Sequence, residues 1–235
     1  FDSSKELATN LWHGSKLKIF AEYNQKIAKQ HDNLIVLGFD FRKSVHLFRN
    51  MTWATRLAAS TNFGVSRLVY FMGGVDNWIA PKFNSTIWVD QTKNYQYQTL
   101  ATSMRGFSQN TRNGTSFALL STELRMPVVQ LITGKKLSRP FFNSIQLIAF
   151  ADLGTAWTGL TPYSEENCLY TRYIDSGNIH AVVKRQVDPW IIGVGAGLRA
   201  SLLGYFLRFD YAWGIENFQV ADKKGMFLFS IGTDF

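Results

Sequence analysis

The sequence lacks long apolar runs. Hydrophobic residues make up 46% of its 235 residues. No apolar stretch approaches the ~20 residues that a spanning helix needs, which excludes an α-helical membrane protein. Cys168 is the single cysteine, and this excludes an internal disulfide and a cysteine metal site. Proline is scarce too, with 5 residues against 18 glycines, and aromatic residues reach 15%. That balance favours a β-rich chain with many short turns.

Catalytic and ligand-binding motifs are also missing. The histidines His13, His31, His46 and His180 are scattered, and none has metal-ligand spacing. No Gly-x-Ser-x-Gly nucleophile motif occurs. The glycines in residues 193–199 alternate within a strand-like segment, whereas a dinucleotide fingerprint would open a helix. We therefore expect no catalytic residue, no metal and no cofactor in this part of the chain.

The positive charge is not concentrated in any one segment. The formal net charge is +8, from 25 Lys and Arg against 17 Asp and Glu. These basic residues are spread through strand-like segments at alternate positions, as in residues 16–26, whereas a nucleic-acid groove would concentrate them. We expect no nucleic-acid partner.

The sequence does contain apolar and polar residues in alternation, in segments of about ten residues, the length of a tilted transmembrane strand. The clearest segment is the last, where Phe227, Phe229, Ile231 and Phe235 share one face. This pattern predicts strands near residues 15–27, 34–47, 51–63, 66–73, 116–126, 144–157, 191–202, 205–214 and 226–235.

Two architectures fit such strands: a soluble β-sandwich and a transmembrane barrel. The polar faces carry Asp40, Arg42 and Arg56, which are seldom buried in a small sandwich core. Short connections alternate with long ones at 74–114 and 158–189, as periplasmic turns alternate with outer loops in barrels. We therefore predict an all-β fold, an antiparallel transmembrane β-barrel.

The number of predicted strands bears on how much of the barrel is present. In an antiparallel meander of nine strands, the first and last run parallel and cannot close an even-numbered barrel. We therefore expect residues 1–235 to be the C-terminal portion of a single barrel domain, with missing strands and any periplasmic domain on the N-terminal side. The chain opens without an initiator Met or a secretory signal, which agrees with a longer protein.

Five motifs occur in an order that resembles a known family. They are MRGF at 104–107, TELRMP at 122–127, FADLG at 150–154, GVGAGLR at 193–199 and FLFSIGTDF at 227–235. From about residue 30 onward, the chain is similar to the C-terminal half of the barrel in the BamA superfamily of outer-membrane assembly proteins and secretion pores. The resemblance implies about nine strands of a barrel of about sixteen strands.

The resemblance also implies a loop inserted into the lumen. In that family the Arg of the Arg-Gly-Phe motif pairs with acidic residues on neighbouring inner strand faces, so Arg105 would meet Asp152 and Glu123. The alternation independently places both carboxylates on the polar face of their strands. The N–H groups of an arginine inside a confined lumen need hydrogen-bond acceptors, and a carboxylate can accept two of these hydrogen bonds at once. The alternative is an exposed Arg-Gly-Phe turn.

Further roles are implied for neighbouring residues. Gly106 would allow a tight turn, Phe107 would pack on the inner wall, and three inner-wall glycines would leave room for the loop, namely Gly193, Gly195 and Gly197. The C-terminal strand would carry the membrane-insertion signal, with its outward residues Phe227, Phe229, Ile231 and Phe235.

One departure from the family pattern concerns the Gly-Gly pair that closely precedes the Arg-Gly-Phe motif in assembly proteins. Here Gly73 and Gly74 are separated from the motif by a polar and aromatic insertion. That insertion makes the chain more similar to the C-terminal barrels of large surface proteins of Bacteroidota.

The resemblance leads to one expected function with two alternatives. We expect a barrel that acts in outer-membrane protein assembly or polypeptide translocation, located in the bacterial outer membrane with its C-terminus on the periplasmic side. A barrel that only anchors a periplasmic or surface module, or that is a subunit of an envelope complex, is the first alternative. The second is the barrel of a patatin-like enzyme. Expected partners are outer-membrane lipid and lipopolysaccharide, the barrel assembly machinery during insertion, and client polypeptides or envelope-complex subunits.

Overall fold

The computed structural model describes residues 1–8, 11–25, 33–48, 51–87, 89, 95–134, 140–176 and 179–232. Within these ranges the chain is almost entirely β-structure with three short helices. None of the helices in the described ranges is long and apolar enough to cross a membrane.

The elements follow one another as strands joined by turns and loops. Their bounds are β1 (Lys5–Ala8), β2 (Leu11–Gln25), β3 (Asn33–His46), β4 (Thr52–Gly64), β5 (Arg67–Met72), β6 (Tyr95–Leu100), β7 (Arg112–Gly114), β8 (Ser116–Pro127), α1 (Val128–Thr133), α2 (Pro140–Asn143), β9 (Gln146–Trp157), α3 (Glu165–Cys168), β10 (Leu169–Ser176), β11 (Ile179–Gln186), β12 (Ile191–Leu202), β13 (Tyr205–Glu216), β14 (Gln219–Val220) and β15 (Met226–Gly232).

One large antiparallel sheet of ten strands dominates the fold. Its order is β1-β2-β3-β4-β8-β9-β12-β13, and β13 pairs with both β14 and β15. Eight of these strands are long, with seven to 15 residues each, and each one after β2 pairs with the long strand before it. Over the described residues, the sheet is open, because no pairing joins β1 to β15. The predicted fold class, all-β and antiparallel, is confirmed.

The two faces of the large sheet differ as the alternation predicts. Along β9, Gln146, Ile148, Phe150 and Asp152 are buried on one side, and the residues between them are exposed or half-buried. We call the side that carries the buried residues and the loop the inner face. On β15, Phe227 lies on the outer face and is 59% exposed, with Phe229 and Ile231 on the same side. Phe235 lies outside the described residues.

The prediction of a wall strand at residues 66–73 is wrong. β5 lies outside the large sheet and pairs with β6 and β7 in a separate three-stranded sheet. The chain turns back after Gly64, whose φ is +127°, and the amide side chain of Asn62 accepts from Leu68 N and donates to Leu68 O. The large sheet therefore has an even number of long strands. The inference drawn above from nine predicted strands does not hold.

Packing between apolar side chains accounts for the burial of β5. Tyr70 and Met72 pack in a cluster against Phe117 and Leu119, which point inward from β8. The loop residues Met104 and Phe107 belong to the same cluster, and the rings of Tyr70 and Phe117 meet edge to face at 4.9 Å. The apolar run that resembles a wall strand thus fixes the long β4–β8 connection to the inner face.

The connections lie at two opposite ends of the sheet. The long β4–β8 and β9–β12 connections share one end, because strand direction alternates along the meander. The β9–β12 connection contains α3 and the β10–β11 hairpin. At the other end, the β8–β9 connection contains α1 and α2, which accounts for its length relative to the two-residue turn between β12 and β13.

The assignment of the outer face can be tested by placing an arginine on it at two different depths in the membrane. Leu198→Arg, on the outer face near the middle of β12, should lower the free energy of unfolding in lipid by about 2–4 kcal/mol, and Leu202→Arg, on the same face at the strand end, by about 0–1 kcal/mol. Denaturant titration of the full-length protein in lipid vesicles measures both. Equal costs for the two variants would mean that this face does not contact the membrane interior.

Candidate functional site

The candidate site is the tip of the β4–β8 connection, residues 103–108, which lies on the inner face. Gly74 and Met104 pair in an isolated antiparallel bridge. Gly74 N donates to Phe107 O at 2.9 Å and Met104 N donates to Gly74 O at 2.8 Å. The Gly-Gly pair that the sequence separates from the Arg-Gly-Phe motif is therefore adjacent to it in space.

Arg105 lies at the centre of the loop tip and is 5% exposed. Its Nε and Nη2 donate to the two carboxylate oxygens of Asp152, each at 2.7 Å, and its Nη1 donates to Glu123 Oε1 at 2.5 Å. Asp152 also accepts the backbone N–H of Arg105 at 3.2 Å. We call these three side chains the luminal latch.

The sheet register positions the partners of Arg105. Ser121 on β8, Asp152 on β9 and Gly193 on β12 lie directly opposite one another across the strands. Ser121 Oγ accepts from Arg105 Nη2 at 3.2 Å and donates to Asp152 Oδ1 at 2.6 Å. The guanidinium carbon lies 3.6 Å from the centroid of the Phe150 ring, a cation–π contact.

Burial disfavours the charged form of Arg105, but the negative charges of Asp152 and Glu123 outweigh this effect and raise its pKa above the usual value. The guanidinium is therefore permanently charged, and each donor that faces a carboxylate stays a donor at any physiological pH.

Two further arginines extend the latch along the inner face. Arg125 Nε donates to Glu123 Oε2 at 2.9 Å. Arg199 Nη1 donates to Asp210 Oδ1 at 2.5 Å, and Arg199 Nη2 lies 3.9 Å from Glu123 Oε1. The sequence pattern does not identify the Arg199–Asp210 pair, because cross-strand register is needed to do so. It also leaves out Arg125, which lies two residues from Glu123 on the same strand.

A pair of glycines makes room for the loop backbone. Gly193 and Gly214 are directly opposite on β12 and β13. A Cβ atom on Gly193 would lie 2.0 Å from Arg105 O, and one on Gly214 would lie 2.6 Å from Gly106 O. Gly106 itself has a φ of +88°, a conformation that glycine adopts without strain. The sequence analysis identified Gly193 and Gly106 but missed Gly214.

The predicted role of Gly195 and Gly197 needs correction. A Cβ atom on Gly195 would meet Tyr211 O and the Phe150 ring, and one on Gly197 would meet Asp210 Oδ1. These two glycines therefore make room for backbone and side-chain atoms of neighbouring wall strands and not for the loop. Phe107 is buried in the apolar cluster and lies over Gly214, in contact with the inner wall.

A cavity of 510 Å³ lies beside the latch on the inner face. Its lining includes Arg105 and Glu123 from the latch and Arg42 and Arg56 from β3 and β4. Asp40 accepts hydrogen bonds from both of these arginines, at 2.7–3.1 Å. The inner face is therefore polar and charged, unlike a sandwich core.

Three residues of the predicted insertion signal, Phe227, Phe229 and Ile231, lie on the outer face. Phe229 stacks on Phe209 of the adjacent strand with ring centroids 4.5 Å apart. The signalling role of this strand stays a prediction. Among the described residues, no group of three or more His, Cys, Asp and Glu side chains is placed to hold a metal ion.

An apolar outer face, a charged inner face and a loop bound inside define the class of protein, an outer-membrane β-barrel. A family model described as the Omp85 superfamily domain matches residues 12–235. The chain therefore belongs to the Omp85 superfamily, and the resemblance to the BamA superfamily is confirmed.

Among solved structures, the chain is similar to CdiB from Acinetobacter baumannii. The two are 13% identical with a TM-score of 0.47, over 97% of this chain and 31% of that chain. The chain thus spans about a third of the length of the CdiB chain. No curated protein sequence matches it significantly.

The latch can be tested by a double-mutant cycle. Arg105→Ala removes the guanidinium that pairs with two buried carboxylates, and it should cost about 3–5 kcal/mol of folding free energy. Asp152→Ala should cost less, because Glu123 still accepts from Arg105. The double variant should lose less than the sum, with a coupling of about 0.5–3 kcal/mol. Denaturant titration of the folded barrel measures each value.

Arg56→Ala is the matched control for this cycle, because its pair with Asp40 is more exposed and should be worth only about 0–1 kcal/mol. Strictly additive losses for Arg105 and Asp152 would contradict the latch.

The glycine pair gives an independent prediction. Gly193→Ala should push the loop tip off the wall, because its Cβ would overlap a backbone atom of Arg105 that cannot rotate away. Trypsin should then cleave after Arg105 faster than in the wild type. Gly154→Ala is the control, since the atom nearest to its Cβ would be 3.2 Å away. Equal cleavage in both variants would show that the loop does not rest on Gly193.

Proposed function

We propose that this chain is the barrel part of an outer-membrane protein that assembles or translocates polypeptides, and that the luminal latch holds the loop tip in the lumen. The membership of the Omp85 superfamily supports the general class. The observation that carries the specific proposal is the buried Arg105–Asp152 ion pair beside a charged cavity.

The charged inner face beside an open cavity is the feature that supports transport. Burying charges costs several kcal/mol per ion unless each is paired. Here the inner face keeps Arg42, Arg56 and Arg199 around an open cavity. Such a surface suits an extended polypeptide, whose backbone needs polar partners where water is excluded.

The latch would act as a movable part of this path. Arg105 joins the loop tip to β8 and β9 through side chains alone, apart from one backbone N–H. Exchange of these partners would free the tip without unpairing any wall strand. We propose no chemical catalysis in this segment.

The orientation and extent of the domain are part of the proposal. The C-terminal end of β15 would face the periplasm, and the long β4–β8 and β9–β12 connections would face outward. The outer face would contact lipid, and lipopolysaccharide in the outer leaflet. Residues 1–235 would be the C-terminal portion of the barrel domain, with further strands on the N-terminal side.

The test uses the full-length protein in cells depleted of the wild type. Arg105→Ala should reduce the amounts of outer-membrane or secreted polypeptides several-fold, as measured by quantitative mass spectrometry. Arg105→Lys should have an intermediate effect, because lysine keeps the charge but not the two-pronged fork. Lys223→Ala, in the exposed turn before β15, should match the wild type.

A second arm separates transport from anchoring. Residues 1–235 are replaced by the corresponding part of an unrelated barrel, and insertion is checked by heat-modifiable migration of the folded form. An anchor would keep its activity after this exchange, whereas a transporter would lose it. Full activity of the exchanged protein would overturn the proposal.

A further inference from the structure

Two arginines lie directly opposite each other on adjacent wall strands. Arg199 on β12 is in register with Arg208 on β13, and both side chains line the cavity on the inner face. Like charges at directly opposite positions of an antiparallel pair destabilise a sheet. Such a pair is therefore expected where a negative group lies within reach of both guanidinium groups.

A second opposed pair of arginines shows how the chain can supply that group itself. Arg42 on β3 and Arg56 on β4 are also directly opposite. Asp40 lies two residues from Arg42 on the same strand and accepts hydrogen bonds from both arginines, at 2.7–3.1 Å. One carboxylate thus bridges two opposed guanidinium groups on this face.

The cross-strand row around Arg199 and Arg208 has a different composition. On one side Arg199 is opposite Gln146 of β9, and on the other side Arg208 is opposite Ser230 of β15. Across these four described strands the row contains two cationic side chains, an amide and a hydroxyl, and no carboxylate. The strands on both sides of β12 and β13 are present in this chain, so further wall strands would not place a residue directly opposite either arginine.

The carboxylates near this row already accept hydrogen bonds. Glu123 accepts from Arg105 at Oε1 and from Arg125 at Oε2. Arg199 Nη2 lies 3.9 Å from Glu123 Oε1, which is longer than a hydrogen bond. Asp210 accepts from Arg199 Nη1 at 2.5 Å. A guanidinium has five N–H donors, so Arg199 can donate to a further acceptor while it holds Asp210.

We propose that Arg199, Arg208 and Ser230 form a binding site for one oxyanion, a phosphate or carboxylate group, on the inner face. Guanidinium groups bind such anions with pairs of hydrogen bonds, and the serine hydroxyl can donate another. All three residues line the 510 Å³ cavity, through which the anion would enter. Its source is either a free anion or an acidic side chain of a polypeptide in the lumen. The inference goes beyond the proposed function, because binding of a free anion needs no client polypeptide.

The first arm of the test measures phosphate binding by isothermal titration calorimetry. It uses the full-length protein in phosphatidylcholine nanodiscs, with inorganic phosphate added at constant ionic strength. The wild type should bind phosphate saturably. Arg208→Gln removes the charge and the fork of donors, and it should weaken binding about tenfold or more. Arg208 is the residue changed because Arg199 is only 3% exposed, and replacing Arg199 would take a partner from the buried Asp210.

Two further variants separate a built site from a diffuse positive potential. Arg56→Gln removes one positive charge from the lining of the same cavity, at an arginine that Asp40 already holds, and should leave the affinity for phosphate nearly unchanged. Arg208→Lys keeps the charge without the fork and should bind phosphate with intermediate affinity. Heat-modifiable migration shows that each variant is folded.

The second arm identifies the source of the anion. An oligoglutamate peptide is titrated in place of phosphate, with oligoglutamine of the same length as its control. Binding of oligoglutamate that Arg208→Gln weakens would assign the site to acidic side chains, and binding of phosphate alone would assign it to a free anion. Absence of saturable binding by both probes, or equal weakening in Arg208→Gln and Arg56→Gln, would overturn the site.

Discussion

The structure depends on one constraint, the need to satisfy a buried guanidinium. Arg105 is almost fully buried, and an arginine without carboxylate partners in such a position would be strongly destabilising. Asp152 and Glu123 come from adjacent wall strands, so the latch fixes the loop only if the register of β8 and β9 is correct. The glycine pair Gly193 and Gly214 then lets the loop backbone approach the wall closely. The two carboxylates and the two glycines thus together specify a single loop position.

Other parts of the inner face follow from this position. With the tip in place, the Gly73–Gly74 turn pairs with it, and β5 packs its apolar side chains on β8. The segment that leaves this turn reaches β15, where Ile79 N donates to Phe229 O. The loop therefore connects the middle of the wall to the last strand.

Much of the wall could be predicted from the sequence, because period-two alternation determines which side chains share a face. The inner positions of β9 and β12 were identified this way, and the motif resemblance added Arg105 and its carboxylates. β5 could not be assigned, since a short apolar run reads the same in a wall strand and in a buried loop strand. Gly214 and Arg199 were missed because their roles depend on cross-strand register, which a single sequence does not reveal.

The central claim is that Arg105 is bound inside the lumen by Asp152 and Glu123. The most direct test is a cryo-electron microscopy map of the full-length protein in a lipid nanodisc, at a resolution that shows side chains. The account predicts the guanidinium within hydrogen-bonding distance of both oxygens of Asp152, with the tip backbone on Gly193 and Gly214. A map with Arg105 in solvent, beyond hydrogen-bonding distance of any carboxylate, would contradict it.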